Sequence, residues 1–278
     1  MTAPRRLNAE FKEKVWGTTN LSPWFPDSTV KIGEVWFTDS LPGQPELPLL
    51  TKFVLTSGQL SVQVHPGDEY AAEHEHSPGK TEMWHVLRAE PGARVALGFR
   101  EPITRERLVE ASLSGEIEHL LQWYDASPGD TYFVPAGTVH AIGAGLAVCE
   151  IQQQSDITYR LYDYGRPREL HLEKGAAVAD LGTHPGKQPG VPRIDGSQVL
   201  VECRYFRAEL LTMAAGLRFT PRSASLELLI VLEGSGLLDG QSFQAGQGWL
   251  VPAAALPFPI ATDVPCRFLR TFVPSKTG

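Results

Sequence analysis

The chain contains an internal repeat, and this feature constrains its fold more than any other. Gly129–His140 (GDTYFVPAGTVH) and Gly246–Pro257 (GQGWLVPAAALP) both have Gly, five residues, Pro and Ala. Upstream, Glu82–Leu87 (EMWHVL) is similar to Glu227–Leu232 (ELLIVL). The first pair is offset by 117 residues and the second by 145. Repeated segments in the same order indicate two copies of one structural unit.

The segments around the repeats predict a β-rich fold. They are short, rich in β-branched and aromatic residues, and bounded by Gly, Pro, Ser or Asp. With 26 Gly and 22 Pro in 278 residues, many short strands are favoured over long helices. Antiparallel sandwiches and barrels are typical of this pattern. One stretch, about residues 101–127, spaces its apolar residues at helical intervals, and its length is close to the difference between the two offsets. We therefore expect a small helical insertion in the first copy.

The chain divides into four parts on this basis. Residues 183–197 (THPGKQPGVPRIDGS) are rich in Pro and Gly and predict a linker. We expect residues 45–182 to form the first β unit and residues 198–278 to form the second. Residues 1–44 are then an N-terminal segment that packs on these units.

The composition argues against several classes of protein. A net charge of -7, with 21% charged residues, gives no indication of nucleic-acid binding. The cysteines Cys149, Cys203 and Cys266 have no short spacing, so neither a disulfide framework nor a cysteine metal cluster is expected. The N-terminus lacks the apolar core of a signal peptide, and no later run is long enough to span a bilayer. We therefore expect a cytoplasmic protein without a nucleic-acid or membrane partner.

The stretch LSVQVHPGDEY at Leu60–Tyr70 begins as an amphipathic strand. Alternation in a strand puts Ser61, Gln63 and His65 on one face and the two valines on the other. If the valine face packs against the core, the polar face is either a solvated surface or the wall of a site. The Pro-Gly pair that follows then ends the strand.

Two motifs resemble those of the cupin superfamily. Gly129–His140 has the pattern Gly-x5-Pro-x-Gly-x2-His of the second cupin motif. The first cupin motif supplies His-x-His and a later Glu, and here Gln63, His65 and Glu82 take those places. The resemblance implies a metal site made of Gln63, His65, Glu82 and His140. Two imidazoles, a carboxylate and an amide oxygen suit one Zn2+ per chain, with Mn2+ or Fe2+ less well suited.

The cupin resemblance also implies the fold class. We expect an all-β dominated protein with two cupin (jelly-roll) barrels in tandem, the first of which carries the helical insertion. The second copy has Ala254 and Pro257 where the first has Gly137 and His140. Because proline offers no metal ligand, we expect the second barrel to be degenerate and without a metal site.

Three other histidines near these motifs are not expected to bind the metal. His74 and His76 lie in the polar run EHEHSPGK, which predicts a surface turn. His85 is three residues from Glu82, so a strand turns it to the opposite face, and we expect it to pack in the core.

Four longer segments resemble consecutive signatures of the type I mannose-6-phosphate isomerases, which are zinc-dependent. They are LSVQVHPGDEYA, GKTEMWHVL, VPAGTVHAIG and EIQQQSDITYRLYDYGRPRELHLEK, and the resemblance covers roughly residues 45–175. The short chain is similar to the compact bacterial form of the family. The resemblance implies a metal-dependent aldose–ketose isomerase that interconverts mannose 6-phosphate and fructose 6-phosphate through a cis-enediol. Gly67 replaces an Asp that the family usually has, which puts loop detail in doubt more than activity.

The family resemblance assigns roles to five further residues. It implies catalytic roles for Glu150, Lys80 and Arg160, and substrate binding by Ser61, Lys52 and Arg160. Glu150 is our first choice for the base that moves the proton, and Lys80 is the second. Arg160, Ser61 and Lys52 are candidates for the phosphate, and the sequence does not decide between them.

Two other functions are compatible with a metal-binding cupin. One is a non-catalytic sugar-phosphate-binding cupin that acts as a sensor, and the retained Glu150 and Arg160 argue against it. The other is an iron-dependent cupin oxygenase, which Gln63 in place of a histidine makes unfavourable. A monomer or weak homodimer is expected, and the direction of the pathway, towards glycolysis or GDP-mannose, stays open.

Overall fold

The chain folds into four antiparallel sheets and four short helices in the part that the structure describes. The computed structural model describes residues 3–39, 41, 43, 46–215, 218–219, 225–253, 255, 258–262 and 264–274. The helices are α1 (Asp68–Glu75), α2 (Arg105–Ser114), α3 (Ile117–Leu120) and α4 (Leu172–Val178). Strands before residue 180 are β1 (Arg5–Arg6), β2 (Asn8–Thr18), β3 (Ile32–Thr38), β4 (Leu49–Leu55), β5 (Val62–Val64), β6 (Glu82–Ala89), β7 (Arg94–Phe99), β8 (Leu121–Asp125), β9 (Thr131–Val134), β10 (His140–Ile142), β11 (Leu146–Gln153) and β12 (Tyr159–Tyr162). Strands after residue 180 are β13 (Val191–Pro192), β14 (Gln198–Glu202), β15 (Arg207–Met213), β16 (Arg218–Phe219), β17 (Glu227–Glu233), β18 (Ser235–Leu238), β19 (Gln241–Gln244), β20 (Gly248–Val251), β21 (Ile260–Thr262) and β22 (Cys266–Phe272).

Each half of the chain builds one large and one smaller sheet. In the first half the strand orders are β2-β3-β4-β11-β6-β9 and β12-β5-β10-β7-β8. In the second half, whose large sheet also includes the N-terminal strand β1, they are β1-β20-β17-β22-β15-β14-β13 and β16-β21-β18-β19. The prediction of an all-β dominated fold is confirmed.

The two large sheets pack against each other through an apolar core. Phe53 on β4, Met83 on β6 and Ile151 on β11 belong to one buried cluster with Ile230 on β17 and Leu269 on β22. Since side chains alternate along a strand, the neighbours of the three first-half residues point to the other face of their sheet, into the first half. Charged side chains on β4, β6 and β11 therefore project into the interior of the first half, between its two sheets.

The strand register agrees with the repeat found in the sequence. β6 pairs with β9 from Glu82 opposite Val134 to His85 opposite Thr131. β17 pairs with β20 from Glu227 opposite Val251 to Ile230 opposite Gly248, with the same offsets of 145 and 117 residues. β11 and β22 occupy the next place in the two sheets. Ala254 and Pro257, which the repeat aligns with Gly137 and His140, lie outside the described residues.

The helical insertion is shorter than predicted. The two helices α2 and α3 end at Leu120, whereas the expected insertion extended to residue 127. Thr104 begins α2 by accepting a hydrogen bond from the Arg107 amide (3.2 Å), and Gly115 ends it with a φ of 85°. From Leu121 the chain forms β8, which pairs with β7. The aromatic residues in LQWYD favour a strand, and pairing with β7 overrides the helical spacing.

The N-terminal and linker segments both take part in the sheets. β1 adds to the edge of the large second-half sheet, and β2 and β3 extend the large first-half sheet. Within residues 183–197, β13 pairs with β14, and isolated bridges join Gly98 to Thr183 and Tyr132 to Lys187. The linker therefore lies along the first half before it enters the second.

Two expectations about histidines have different outcomes. His74 and Glu75 belong to α1, and His76 ends it in the left-handed conformation, so the segment is an exposed helix end and not a turn alone. The prediction that His85 packs in the core is confirmed, since it is buried with its Nδ1 3.0 Å from Thr131 Oγ1. Among the described residues, no helix is both long and apolar enough to cross a membrane.

Candidate active site

A polar cavity of about 270 Å³ lies between the two sheets of the first half. Seven of the nine residues singled out in the sequence line it: Lys52, Ser61, Gln63, Lys80, Glu82, Glu150 and Arg160. The other two, His65 and His140, are 1% exposed and lie beside Glu82. Lys14, Trp16, Glu34, Leu60, Trp84, Ile142, Asp156, Thr158 and Arg168 complete the wall. The structure therefore brings all nine predicted residues together.

Three of the predicted ligands form a compact group. The ligand atoms of His65, Glu82 and His140 all lie within 4.8 Å of one another. Glu82 Oε2 is 3.5 Å from His65 Nε2, and Glu82 Oε1 is 3.5 Å from His140 Nε2. The three residues come from separate segments: β6 carries Glu82, β10 begins at His140, and His65 follows β5. Two imidazoles and one carboxylate that converge in this way fit a divalent cation such as zinc.

The surroundings of the imidazoles also fit a metal. His65 Nδ1 is 2.8 Å from the Ile157 carbonyl, and His140 Nδ1 is 2.8 Å from the Thr138 carbonyl. A carbonyl accepts the Nδ1 proton, so each Nε2 keeps its lone pair for a ligand bond. Burial, the largest influence, lowers the pKa of His140 to about 4 and holds the pKa of His65 well below its usual value. Both rings are therefore neutral at physiological pH, as metal ligation requires.

Lys80 places a positive charge at the same atoms. Its Nζ lies 2.9 Å from His65 Nε2 and 3.0 Å from Glu82 Oε2. Glu82 Oε2 is buried and makes no hydrogen bond to a described residue. The Lys80 ammonium thus contacts two of the atoms that the His65–Glu82–His140 group would offer to a metal.

Gln63 and Ser61 lie next to the ligand group, as the strand alternation predicts. Gln63 pairs with His140 across β5 and β10, and its Nε2 is 3.2 Å from His140 Nε2. Gln63 Oε1 accepts a hydrogen bond from Ser61 Oγ at 3.2 Å. Amide oxygen and nitrogen have the same shape, so a half-turn of the amide brings the oxygen to the side of His140. The Ser61 hydroxyl can donate to the amide oxygen or accept from the amide nitrogen, so it orients Gln63 in both cases.

A chain of alternating charges crosses the cavity wall. Lys52 Nζ is 3.2 Å from Glu150 Oε1 and 3.4 Å from Glu34 Oε1. Glu150 Oε1 is also 4.0 Å from Lys80 Nζ. Burial and the charge of Glu82 raise the pKa of Glu150 to about 7, although Lys52 and Lys80 oppose this effect. A carboxylate with a pKa near neutrality is able to accept and return a proton.

Arg160 differs from the lysines because no carboxylate among the described residues lies within 4.0 Å of it. Its Nη1 donates to the Glu169 carbonyl at 2.8 Å, and its buried Nε has no hydrogen-bond partner in that part of the chain. Arg160 is opposite Gln63 across β12 and β5, one strand from the ligand group. The neighbouring Arg168 is paired with Asp163 through two hydrogen bonds of 2.6 Å. Arg160 is therefore the guanidinium in this wall that remains available to an anion.

The sequence alone missed part of the cavity wall. Lys14, Trp16 and Glu34 come from the N-terminal segment, to which only packing was assigned. A lone carboxylate in the apolar strand IGEVWFT was the available signal for Glu34. Trp84 was missed as well. In the structure its indole N–H is buried and has no hydrogen-bond partner among the described residues. Arg168 also lines the cavity, and it pairs with Asp163.

Comparisons with known proteins identify the family. No protein-family model matches the chain. The mannose-6-phosphate isomerase ManA of Bacillus subtilis is 34% identical over an alignment of 300 positions, gaps included, that covers 90% of this chain and 93% of that protein. The chain belongs to the mannose-6-phosphate isomerase family. The mannose-6-phosphate isomerase of Streptococcus mutans is also 34% identical, over 85% of this chain and 87% of its own length.

Solved structures of the family agree with this fold. The mannose 6-phosphate isomerase from Bacillus subtilis superimposes with a TM-score of 0.87 at 30% identity, covering 98% of this chain and all of that one. A phosphomannose isomerase from Salmonella typhimurium gives a TM-score of 0.79 at 16% identity, and this likeness supports the fold alone. The resemblance seen in the sequence motifs thus extends over nearly the whole chain.

Proposed function

We propose that the protein is a metal-dependent aldose–ketose isomerase that interconverts mannose 6-phosphate and fructose 6-phosphate through a cis-enediol. The observation that carries this proposal is the composition of the single cavity described above. It joins a His65–Glu82–His140 group, a buried carboxylate with a near-neutral pKa (Glu150) and a guanidinium without a carboxylate partner among the described residues (Arg160). Metal-dependent isomerisation of a phosphosugar uses a cation, a proton carrier and a phosphate ligand together.

Glu150 is the proposed proton carrier. In the forward direction it takes the proton from C2 of open-chain mannose 6-phosphate and returns it to C1, while the hydroxyl proton on the C2 oxygen passes to the C1 oxygen, so no net proton is gained or lost. Its Oε1 makes no hydrogen bond to a described residue, and this leaves a lone pair for the substrate proton. Lys80 lies 4.0 Å from that oxygen and is placed to stabilise negative charge on the sugar oxygens. Lys80 remains the second choice for the base.

We propose that Gln63, His65, Glu82 and His140 hold one Zn2+ per chain, with Mn2+ or Fe2+ less well suited. When bound, the metal supplies Lewis acidity for the carbonyl and hydroxyl oxygens at C1 and C2. Neutral imidazoles and a carboxylate are ligands that zinc favours, and the amide oxygen completes four protein donors. Ser61 then orients Gln63, in addition to any substrate contact.

Arg160 is the proposed phosphate ligand. Lys52 is 2% exposed and lies between two carboxylates, so its charge is already compensated. Arg160 keeps N–H groups that no described carboxylate occupies, and a guanidinium is well matched to phosphate. We therefore propose Arg160 for the phosphate and assign Lys52 to the electrostatics of the reacting centre.

The remaining finer points are proposals of the same kind. Each half is proposed to be a cupin barrel, the first formed by residues 45–182 and the second by residues 198–278, with residues 183–197 as a linker. The sheet pairs and the repeated register support this division.

A cytoplasmic location is supported by the free thiols of the three cysteines. A monomer or weak homodimer is proposed, and sedimentation at several concentrations tests it.

A coupled assay for fructose 6-phosphate formation tests the proposed function. The purified chain is loaded with one Zn2+ per chain and assayed on mannose 6-phosphate, before and after chelation and after return of metal. We expect turnover that chelation abolishes and zinc restores. Metal-loaded protein without turnover contradicts the proposal, and tight binding of the sugar phosphate in that case favours the sensor.

A further inference from the structure

Lys52 shares its ammonium group unequally between two carboxylates. Its N–H donates a hydrogen bond to Glu34 Oε1 at 3.4 Å. Glu150 Oε1 is nearer, at 3.2 Å, but the alignment does not make a hydrogen bond, and that oxygen is left without one among the described residues. Lys52 thus directs one of its three N–H groups to Glu34 and approaches Glu150 as a charge, without an N–H aligned with Oε1.

Glu34 is fixed in place by its own contacts. Glu34 is 7% exposed. Its Oε2 accepts a hydrogen bond from Trp36 Nε1 at 3.0 Å and forms an ion pair with Lys14 Nζ at 3.2 Å. Burial alone would raise the pKa of Glu34, but Lys52 and Lys14 lower it to about 2, so it is an anion at any working pH. The Trp36 ring also lies under Lys52, with the ammonium 5.6 Å from its centroid.

The strand register explains why these groups meet. Trp36 is opposite Lys52 across β3 and β4, and Lys52 is opposite Glu150 across β4 and β11. Glu34 is two residues from Trp36 and shares its face, which places it diagonally from Lys52. One row of side chains therefore runs from the N-terminal segment to the proton carrier.

We propose that Glu34 is a positioning residue for the isomerase reaction, one that keeps a lone pair of Glu150 free by holding the Lys52 ammonium in an orientation that aligns none of its three N–H groups with Glu150 Oε1. The proposal rests on the proposed function, since Glu150 must accept the substrate proton through that lone pair. Without the Glu34 charge, the Lys52 ammonium turns to Glu150 and forms a charge-assisted hydrogen bond with Oε1. The substrate proton then competes with an intramolecular donor, and proton transfer slows.

The test compares Glu34→Gln and Glu34→Asp with a matched control, Glu209→Gln. Glu209 is also a buried carboxylate that holds two cations, Arg207 and Arg270, but it lies in the second half. Zinc content, kcat, KM and the kinetic isotope effect of mannose 6-phosphate deuterated at C2 are measured for all variants. For Glu34→Gln we expect kcat to fall by about 10- to 100-fold, with KM within about 2-fold, zinc unchanged and a larger isotope effect. Glu34→Asp recovers part of the loss, and Glu209→Gln leaves kcat and the isotope effect unchanged.

Several outcomes overturn the proposal. One is an unchanged kcat in Glu34→Gln, another is a loss of kcat that follows loss of zinc, and a third is an equal loss in Glu209→Gln. Wild-type protein in the same assay separates this test from that of the proposed function. If the wild type has no isomerase activity, the crystal structures of wild type and Glu34→Gln decide. The proposal requires a hydrogen bond from Lys52 to Glu150 in Glu34→Gln that the wild type lacks. A Lys52 ammonium in the same position in both structures contradicts the proposal.

Discussion

Glu82 and Glu227 occupy the same position in the two halves, and each is buried beside a cation of the chain. Glu82 begins β6 opposite Val134, and Glu227 begins β17 opposite Val251. Glu82 has Lys80 at 3.0 Å, whereas Glu227 accepts a hydrogen bond from Arg270 Nε at 3.0 Å. Lys80 lies two residues before Glu82 in the same segment, whereas Arg270 lies on β22, the strand next to β17.

The pair of residues beside these carboxylates has reversed charge between the halves. In the first half Lys52 on β4 is opposite Glu150 on β11. At the equivalent place in the second half, Glu209 on β15 is opposite Arg270 on β22. No histidine follows His184 in the sequence. The Arg270 guanidinium therefore neutralises Glu209 and Glu227. Among the residues just compared, the second half offers a metal neither an imidazole nor an unpaired carboxylate.

His140→Ala is expected to remove the metal and leave the fold intact. The change deletes one of three converging ligand side chains and removes a ring that contacts Thr138 and Trp84 of the first half. Zinc content by atomic emission should fall from one per chain towards zero, while the circular dichroism spectrum is kept. Turnover should fall by at least about 10²-fold. His85→Gln is the control, because His85 is equally buried but bonds to Thr131 instead, and it should keep its zinc.

Arg270→Met should destabilise the protein without changing the metal. It leaves Glu227 buried without its cation, and a broken buried pair of this kind costs about 3–5 kcal/mol of unfolding free energy. Urea denaturation measures this loss. Arg270→Met combined with Glu227→Leu should recover most of it, because the charge of Glu227 is then removed together with that of its partner. Zinc per folded chain and kcat should match the wild type, and a metal loss in the single variant would mean that the second half contributes to the site.

Arg160→Met should weaken phosphate binding specifically. Arg160 has N–H groups that no described carboxylate occupies, so the change removes an anion ligand and breaks no ion pair seen in that part of the chain. KM for mannose 6-phosphate should rise by about 10- to 100-fold, equivalent to about 1.4–2.7 kcal/mol, with zinc unchanged. Inorganic phosphate should inhibit the variant less than the wild type. Arg168→Met is the comparison, since Arg168 is committed to Asp163, and a larger effect there would reassign the phosphate.

The local features of the site could be predicted from the sequence because they depend on short-range patterns. The alternation in SVQVH placed Ser61, Gln63 and His65 on one face, and all three lie at the cavity. The repeat predicted two copies of one unit, and the ladders β6 with β9 and β17 with β20 do share one register, because a ladder keeps the same spacing where its sequence is repeated. Alternation also separated His85 from the ligands.

Long-range strand pairing explains what the sequence could not predict. Glu34 reaches the cavity only because β3 pairs with β4, and no motif in the N-terminal segment specifies that partner. The end of the helical insertion was misplaced for a related reason, since Leu121–Asp125 becomes a strand through its pairing with β7. The direction of the Lys52 N–H depends on three strands at once and has no signature in any one of them.

Activity should depend on the ionisation of Glu150. Burial and Glu82 raise the pKa of this carboxyl to about 7, and a base acts only when deprotonated, so kcat/KM should fall as the pH is lowered through the pKa of Glu150. A bound divalent cation favours the carboxylate, so the fall in the zinc-loaded enzyme should lie below pH 7. Glu150→Gln should lower kcat by about 10²- to 10⁴-fold and remove this dependence, with zinc unchanged. If Glu150→Gln keeps the acidic limb and most of the activity, the proton carrier is another residue, and Lys80→Met is the variant to measure next.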